Sequence, residues 1–215
     1  MISEQRVAFG GIRANLYGEP AENVYLFVHG QGGSKEEAAV FAQIACQRGW
    51  QVLSFDLPEH GDRADDGSEL LPWVVVPQMQ AAWDYLSANW AHVALRANSI
   101  GAWFSMLALS DKPLAKSLFV SPILDMEHLI RRMMQWAQVT PQELEAKQLI
   151  PTNFGQTLNW DYFCFAQEHP VLRWKSDTRI LYGGADNLTE REIVDEFSAR
   201  HCCDLTVLEN GEHWF

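Results

Sequence analysis

The stretch Val93-Ala94-Leu95-Arg96-Ala97-Asn98-Ser99-Ile100-Gly101 decides how the rest of the chain is interpreted. Its first four residues, three of them apolar, predict a short strand, and the apolar spacing after Ile100 predicts a helix. Ser99 lies at the junction, with the small residues Ala97 and Gly101 two positions to either side. This pattern is typical of a nucleophile elbow, a strained turn that exposes a serine and leaves room only for small neighbours. Serine is also a common helix N-cap, so the motif alone leaves both interpretations open.

Strand and helix patterns alternate on both sides of this stretch. Glycines at 10 and 11 separate two strand patterns and predict an N-terminal hairpin. Helical spacing of three and four separates most of the other apolar runs, and we expect Ser34 and Thr189 to cap two of these helices. Strands are predicted at 6–9, 12–17, 24–28, 51–55, 93–96, 116–120, 179–182 and 204–208, and helices at 34–49, at 76–90, from 100 and from 189. Continuous apolar runs indicate strands buried on both faces, so we predict an α/β fold with a doubly wound, mostly parallel eight-stranded sheet.

The alternation stops between residues 125 and 170. Two helices without an intervening strand are predicted there. The second opens with Thr140-Pro141-Gln142-Glu143, a capping box with proline at the first helical position. We therefore predict a core made of residues 1–124 and 171–215, with residues 125–170 inserted as a small helical cap.

The composition limits the classes of partner. The chain has 215 residues and a formal net charge of -12, with 47% hydrophobic and 20% charged residues, which is typical of a globular protein with a large core. No basic stretch could neutralise phosphates, so we expect a small-molecule partner and neither nucleic acid nor an anionic membrane. The four cysteines have no metal-binding spacing, and no apolar run is long enough for a membrane span. We expect a cytoplasmic protein; the oligomeric state is left open.

Two further residues complete a possible catalytic set. A serine hydroxyl becomes a nucleophile when a histidine takes its proton, and the histidine needs a carboxylate to hold its tautomer. Asp186 follows the predicted strand 179–182, and His213 follows the last predicted strand. Groups beyond the carboxyl ends of parallel strands converge on one crevice, so we expect Asp186 and His213 to meet Ser99 there.

Several motifs, in this order along the chain, resemble the α/β-hydrolase superfamily, in particular its compact bacterial serine hydrolases with a helical cap. His29-Gly30-Gln31-Gly32-Gly33 is similar to the family's oxyanion loop. Asp56-Leu57-Pro58-Glu59-His60-Gly61 is similar to the loop after its fourth strand, and residues 97–101 are similar to its nucleophile elbow. The order serine, acid, histidine also matches, and the resemblance covers nearly the whole chain.

The resemblance implies a role for each of these residues. Ser99 would be the nucleophile, His213 the general base and acid, and Asp186 the orienting carboxylate. The backbone N–H groups of Gln31 and Ile100 would form the oxyanion hole. The expected activity is hydrolysis of a carboxylic ester or a related acyl compound through an acyl-enzyme, with no cofactor and no metal. The alternatives are a non-catalytic protein of this fold that binds a small ligand, and a triad enzyme that acts on thioester, peptide or C–C bonds.

The sequence departs from the family pattern in two places. Alanine stands at position 97, where glycine is commonest. The family usually has a further helix after the catalytic histidine, whereas this sequence ends at Phe215, two residues beyond His213. We therefore expect His213 to be mobile unless Trp214 and Phe215 anchor it.

Other polar and aromatic residues have competing interpretations. Asp125 is a rival for the acid and also a possible helix N-cap. His60 and Asp62 could be metal ligands or a second acid/base pair, although fixing their own loop is the favoured interpretation. Trp136 and Trp160 are candidates for contact with substrate, against the alternative that they pack in the core.

Overall fold

The computed structural model describes residues 2–214, which contain ten strands and seven α-helices. The strands are β1 (Glu4–Phe9), β2 (Ile12–Tyr17), β3 (Asn23–Val28), β4 (Trp50–Phe55), β5 (His92–Asn98), β6 (Ser117–Val120), β7 (Leu149–Pro151), β8 (Thr157–Asn159), β9 (Thr178–Gly183) and β10 (Asp204–Leu208). The helices are α1 (Ala38–Cys46), α2 (Pro72–Asn89), α3 (Ile100–Leu109), α4 (Met126–Ala137), α5 (Pro141–Lys147), α6 (Trp160–Glu168) and α7 (Arg191–His201). No helix within these residues is both long enough and apolar enough to cross a membrane.

Eight strands form one sheet in the order β1-β2-β4-β3-β5-β6-β9-β10. From β4 to β10 the neighbouring strands are parallel, and β1 and β2 add an antiparallel hairpin at one edge. The hairpin turns at Gly10 and Gly11, both with positive φ, a conformation that glycine adopts without steric cost. The predicted eight-stranded, mostly parallel sheet is therefore confirmed.

The two faces of the sheet are covered unequally. On one face, α1 packs its alanines and Phe41 on Tyr17, Phe27 and Val52. On the other face, α2, α3 and α7 share one large core with residues 126–168, and Trp103, Phe104 and Phe119 are among its fully or almost fully buried side chains. The loops at the carboxyl ends of β3, β5, β9 and β10 open at one edge of the sheet, which is where the predicted site residues lie.

Residues 126–168 differ from the prediction. They contain three helices and the two-stranded β7–β8 sheet, so the expectation of two helices without an intervening strand was wrong. Strands of three residues are too short for an alternating pattern to stand out. The third helix, α6, begins after Asn159, whose side chain accepts a hydrogen bond from the Tyr162 N–H. The capping box at Thr140 is present as predicted.

Three helix starts also differ from the prediction. Ser34 makes no side-chain capping bond, and a 3₁₀ turn at Lys35–Glu37 precedes α1. The helix α2 begins at Pro72 instead of residue 76, because proline suits the first helical turn. The N-cap of α7 is Glu190 instead of Thr189, because the Thr189 hydroxyl donates to the carbonyl of Pro122.

Candidate active site

Ser99 lies in a strained turn between β5 and α3. Its backbone has φ 48° and ψ -122°, a region that side chains other than glycine rarely adopt and that costs on the order of 1–3 kcal/mol. The surrounding backbone holds this conformation: the Ser99 N–H donates to Val120 at 3.0 Å, and its carbonyl accepts from Ala102 and Ile123 at 3.1 Å. The turn predicted from the sequence is therefore present, and it presents the serine at the carboxyl edge of the sheet.

The small residues around Ser99 are required by close backbone packing. A Cβ on Gly101 would collide with the carbonyl oxygen of His29, and a Cβ on Gly30 would lie 3.0 Å from the Cβ of Ser99. Ala97 is fully buried inside β5. The alanine at position 97 is thus accommodated, whereas glycine is needed at 101.

The three side chains predicted to work together lie in one hydrogen-bonded line. The Ser99 hydroxyl is 2.8 Å from His213 Nε2, and His213 Nδ1 is 2.7 Å from Asp186 Oδ2. The other Asp186 oxygen accepts from the backbone N–H groups of Leu188 and Thr189 at 2.7 and 3.1 Å. Because these bonds fix the carboxylate, it can hold the imidazole with Nδ1 protonated and Nε2 facing the serine.

His213 is held firmly even though it is close to the last described residue. Its side chain is 1% exposed, and the loop that carries it packs backbone to backbone on the loop after β9. Gly184 donates to Leu208, and Ala185 donates to Gly211, both at 2.8 Å. A Cβ on Gly183 or Gly184 would collide with the backbone of residues 209–212, so both glycines are needed for this contact.

The aromatic residues after the histidine were the expected anchors. The Trp214 ring packs edge-on against the imidazole with centroids 4.7 Å apart, although the tryptophan itself is 63% exposed. Phe215, the other expected anchor, lies outside the described residues. The backbone contacts of the loop therefore account for most of the anchoring.

Two histidines hold the loop that follows β3. His60 Nε2 accepts from the Gly32 N–H at 2.9 Å, while its Nδ1–H donates to the Pro58 carbonyl at 2.8 Å. His29 Nε2 accepts from the Leu57 N–H at 3.0 Å, and its Nδ1–H donates to the Gly30 carbonyl at 2.8 Å. Burial is the main reason that the pKa of His29 falls to about 4. Both imidazoles therefore serve as loop braces.

A buried ion pair lies below the same loop. Lys35 Nζ is 2.7 Å from Asp56 Oδ2 and 3.0 Å from the exposed Asp62. Burial alone would lower the pKa of Lys35, but hydrogen bonds to Asp56, Glu36 and Asp62 outweigh burial and raise it. His60 and Asp62 thus have structural partners, which agrees with the favoured interpretation, and no group of three or more potential metal-ligating His, Cys, Asp or Glu side chains occurs within residues 2–214.

Asp125, the rival acid, caps α4. Its side chain accepts from the backbone N–H of His128 at 2.9 Å, as expected of an N-cap. Of its two predicted roles, catalytic acid and helix N-cap, the structure supports the N-cap. Asp186 is the carboxylate that contacts the imidazole.

A cavity of about 940 Å³ opens above Ser99, between the sheet and residues 126–162. Gln31 and Ile100, the predicted oxyanion-hole residues, both line it beside the serine. Ile100 is the first residue of α3, and the N–H groups of a first helical turn have no partner within their own helix. These positions suit two backbone donors directed at a bound carbonyl oxygen.

The two tryptophans proposed from the sequence differ in position. Trp136 lines the cavity and packs edge-on against Phe154. Trp160 is not among the described residues that line it, and its ring lies 5.8 Å from that of Phe163. The cavity therefore supports a substrate contact for Trp136 and a packing role for Trp160.

The cavity also has lining residues that the sequence analysis did not single out. Glu59 and Glu69 lie on the segment between β4 and α2. Glu59 is part of the Asp56–Gly61 motif, so the sequence did contain a signal for it. Nothing in the sequence distinguished Glu69 from other exposed glutamates.

Comparison with known proteins identifies the fold. Est1E from Butyrivibrio proteoclasticus matches with a TM-score of 0.74 and 18% identity, over 98% of this chain and 90% of that one. Mouse alpha/beta hydrolase domain-containing protein 10 matches with a TM-score of 0.77 and 14% identity, over 98% and 90%. The esterase Pf2001 of Pyrococcus furiosus gives 0.68 and 17%, over 99% and 82%. The chain thus has the α/β-hydrolase fold that the resemblance predicted. No protein-family model matches the chain, and no curated protein matches it in sequence.

Proposed function

We propose that this protein is a serine hydrolase that cleaves carboxylic esters or related acyl compounds through an acyl-enzyme. The observation that carries the proposal is the continuous line from Ser99 Oγ through His213 to Asp186, with hydrogen bonds of 2.8 and 2.7 Å, next to a cavity large enough for a small-molecule substrate. A binding protein has no need for all three groups in this geometry.

In the proposed mechanism, Ser99 Oγ attacks the substrate carbonyl carbon while His213 Nε2 takes the hydroxyl proton. The tetrahedral oxyanion accepts hydrogen bonds from the N–H groups of Gln31 and Ile100. His213 then gives its proton to the leaving oxygen, and the alcohol departs. A water molecule next attacks the acyl-enzyme while His213 accepts its proton. His213 then gives this proton to Ser99 Oγ as the acid departs, which restores the serine hydroxyl.

Similar proteins support an ester as the substrate. Est1E has been solved with ferulic acid bound, and Pf2001 is called an esterase. These descriptions belong to those proteins, and their low identity carries only the fold. We therefore choose oxygen esters as the first class to assay, before thioester, peptide or C–C substrates.

The cap segment and the cellular location are part of the proposal. Residues 125–170 would act as the cap, because α4 and the β7–β8 segment supply one wall of the cavity above Ser99. The cysteines of the described chain are free thiols, which suits a reducing, cytoplasmic compartment.

A fluorophosphonate probe tests the proposal directly. The probe should label the protein, and mass spectrometry should locate the label on Ser99. Ser99→Ala should abolish labelling, whereas Ser87→Ala, which changes an exposed serine on α2, should leave it intact. A folded protein that takes no label would favour the non-catalytic ligand-binding interpretation.

A further inference from the structure

The walls of the cavity above Ser99 differ in chemistry. The cap side is mostly apolar and includes Ile130, Met133, Trp136, Leu149 and Phe154. The opposite side belongs to the segment between β4 and α2. Among the described residues that line the cavity, the charged side chains are Glu59 and Glu69 alone, and neither lysine nor arginine is present.

The structure holds Glu59 at this wall. Its Oε1 atom accepts the backbone N–H of Leu70 at 3.2 Å, which joins the two ends of the segment. Its neighbour His60 is hydrogen-bonded to Gly32, next to Gln31 in the proposed oxyanion loop. These two hydrogen bonds connect the chain around Glu59 to Leu70 and to the proposed oxyanion loop.

The charges of the two glutamates are not neutralised nearby. Within residues 2–214, neither carboxylate has a lysine, arginine or histidine nitrogen within 4.0 Å. Both residues are exposed, so solvent weakens their field without removing it. A bound substrate therefore experiences a negative potential from one wall of the cavity.

We propose that Glu59 and Glu69 make this cavity select substrates by charge. The preferred class is an ester of an apolar acyl group whose other part is neutral or, better, positively charged, such as an ester of an amino or quaternary ammonium alcohol. Anionic acyl donors, including thioesters of phosphate-bearing carriers and anionic phospholipids, are disfavoured. This inference rests on the proposed ester hydrolysis, because it names the substrate class for that same site.

The size of the effect follows from Coulomb's law. At separations of several ångströms and a high effective dielectric constant, each carboxylate changes kcat/KM for a singly charged substrate by about threefold. Both carboxylates raise kcat/KM for a cationic substrate, and both lower it for an anionic substrate. The cationic ester should therefore exceed the anionic ester by on the order of 100-fold at low ionic strength.

Three butyrate esters of similar shape test this inference. Their alcohols are choline, the neutral isostere 3,3-dimethylbutanol, and the anionic 2-hydroxyethanesulfonate. The readout is the ratio of kcat/KM for the cationic ester to that for the anionic ester, at low and high salt. The variants are Glu59→Gln, Glu69→Gln and the double variant, and glutamine keeps an acceptor for the Leu70 N–H. Glu168→Gln, an exposed change on α6 outside the cavity lining, is the control.

The expected result is that the ratio falls by on the order of tenfold or more in the double variant and in high salt, and is unchanged in Glu168→Gln. A ratio near one in the parent, or one that the double variant leaves unchanged, overturns the inference. If Glu59→Gln fails to fold, the inference is tested by the same ratio in Glu69→Gln and by its dependence on salt in the parent.

A binding measurement separates this inference from the proposed catalysis. In calorimetry, Ser99→Ala should bind hexyltrimethylammonium more tightly than hexanesulfonate. This preference should be lost when Glu59→Gln and Glu69→Gln are added to Ser99→Ala. An unlabelled, inactive protein that still shows this preference would overturn the proposed function alone. An active protein without the preference would overturn only the charge selection.

Discussion

The carbonyl oxygen of His29 lies directly against the Cα of Gly101, where a Cβ would collide with it. Gly101 belongs to the first turn of α3, behind Ser99, and His29 is the residue from which the Gly30–Gly33 loop departs. This backbone contact therefore couples the serine to the loop that carries Gln31. Changes at this contact should affect both the position of the nucleophile and the oxyanion hole.

Gly101→Ala should reduce both stability and turnover. The new Cβ must push the His29 backbone away, and such overpacking typically costs about 1–3 kcal/mol. Because the Gly30–Gly33 loop would move with His29, kcat should fall while KM changes less. Urea unfolding and steady-state kinetics measure the two effects.

Gly67→Ala is the control for Gly101→Ala. Nothing lies within 4 Å of a Cβ at Gly67, although its φ of +77° makes the alanine unfavourable. This variant should lose some stability and keep its kcat. Equal losses of kcat in both variants would show that the contact with His29 has no special role.

Ser99→Gly should be more stable than Ser99→Ala, although both should be inactive. The backbone at position 99 has φ 48° and ψ -122°, which glycine adopts without the strain that alanine retains. The larger freedom of glycine in the unfolded chain offsets part of this gain, so the net difference should be about 0.5–2 kcal/mol. Thermal melts compare the stabilities. A more stable alanine variant would mean that the turn is not strained in solution.

Asp186→Asn and Asp125→Asn should separate the two candidate acids. Asp186→Asn should lower kcat by on the order of 10⁴, because the amide favours the wrong tautomer of His213. Asp125→Asn should change little, since asparagine is as good an N-cap as aspartate. Ester hydrolysis by the two purified variants checks the ranking, and the reverse order would move the acid to Asp125.

The parts of this structure that could be predicted from sequence are those with local signals. The elbow at Ser99 combines a strand, a turn and small neighbours within nine residues. The long buried strands are likewise recognisable from their continuous apolar runs. The β7–β8 strands gave no such signal because each has three residues. Thr189 was misassigned as a cap because its hydroxyl binds Pro122, a partner 67 positions away that only the folded chain brings near. Long-range contacts also decide which glutamates line the cavity.

Substitutions at Gln31 should show whether its backbone or its side chain acts in the reaction. Alanine keeps the N–H donor, whereas proline removes it. A single oxyanion donor typically contributes about 10²–10³ in kcat, so Gln31→Pro should lose that factor with a smaller change in KM. Gln31→Ala should stay within several-fold of the parent. Circular dichroism and melting must show that both variants are folded.

Two outcomes at Gln31 would change the assignment. Equal impairment of both variants would mean that the amide side chain contacts the substrate. Near-normal activity of both would mean that the second donor is elsewhere between Gly30 and Ser34.

Acid should destabilise the protein partly through His29. Its folded pKa of about 4 lies below the ordinary value of 6.5, mainly because the imidazole is buried. Between these two values the unfolded chain binds a proton that the folded chain excludes, so the free energy of unfolding falls as the pH falls. The full contribution of His29 to the free energy of unfolding is present above the unfolded pKa. It is lost as the pH falls to the folded pKa, and the total loss is about 3 kcal/mol.

His29→Gln isolates this contribution, because an amide oxygen can accept the Leu57 N–H and does not titrate. The variant should be less stable than the parent at neutral pH, since glutamine only partly replaces the imidazole. As the pH falls to about 4, the difference in unfolding free energy between parent and variant should shrink by about 3 kcal/mol, because only the parent pays for excluding the proton. Urea unfolding across this range measures the difference, and the carboxylates common to both proteins cancel. A difference that does not change with pH would show that the imidazole is charged, or free to become charged, in the folded protein.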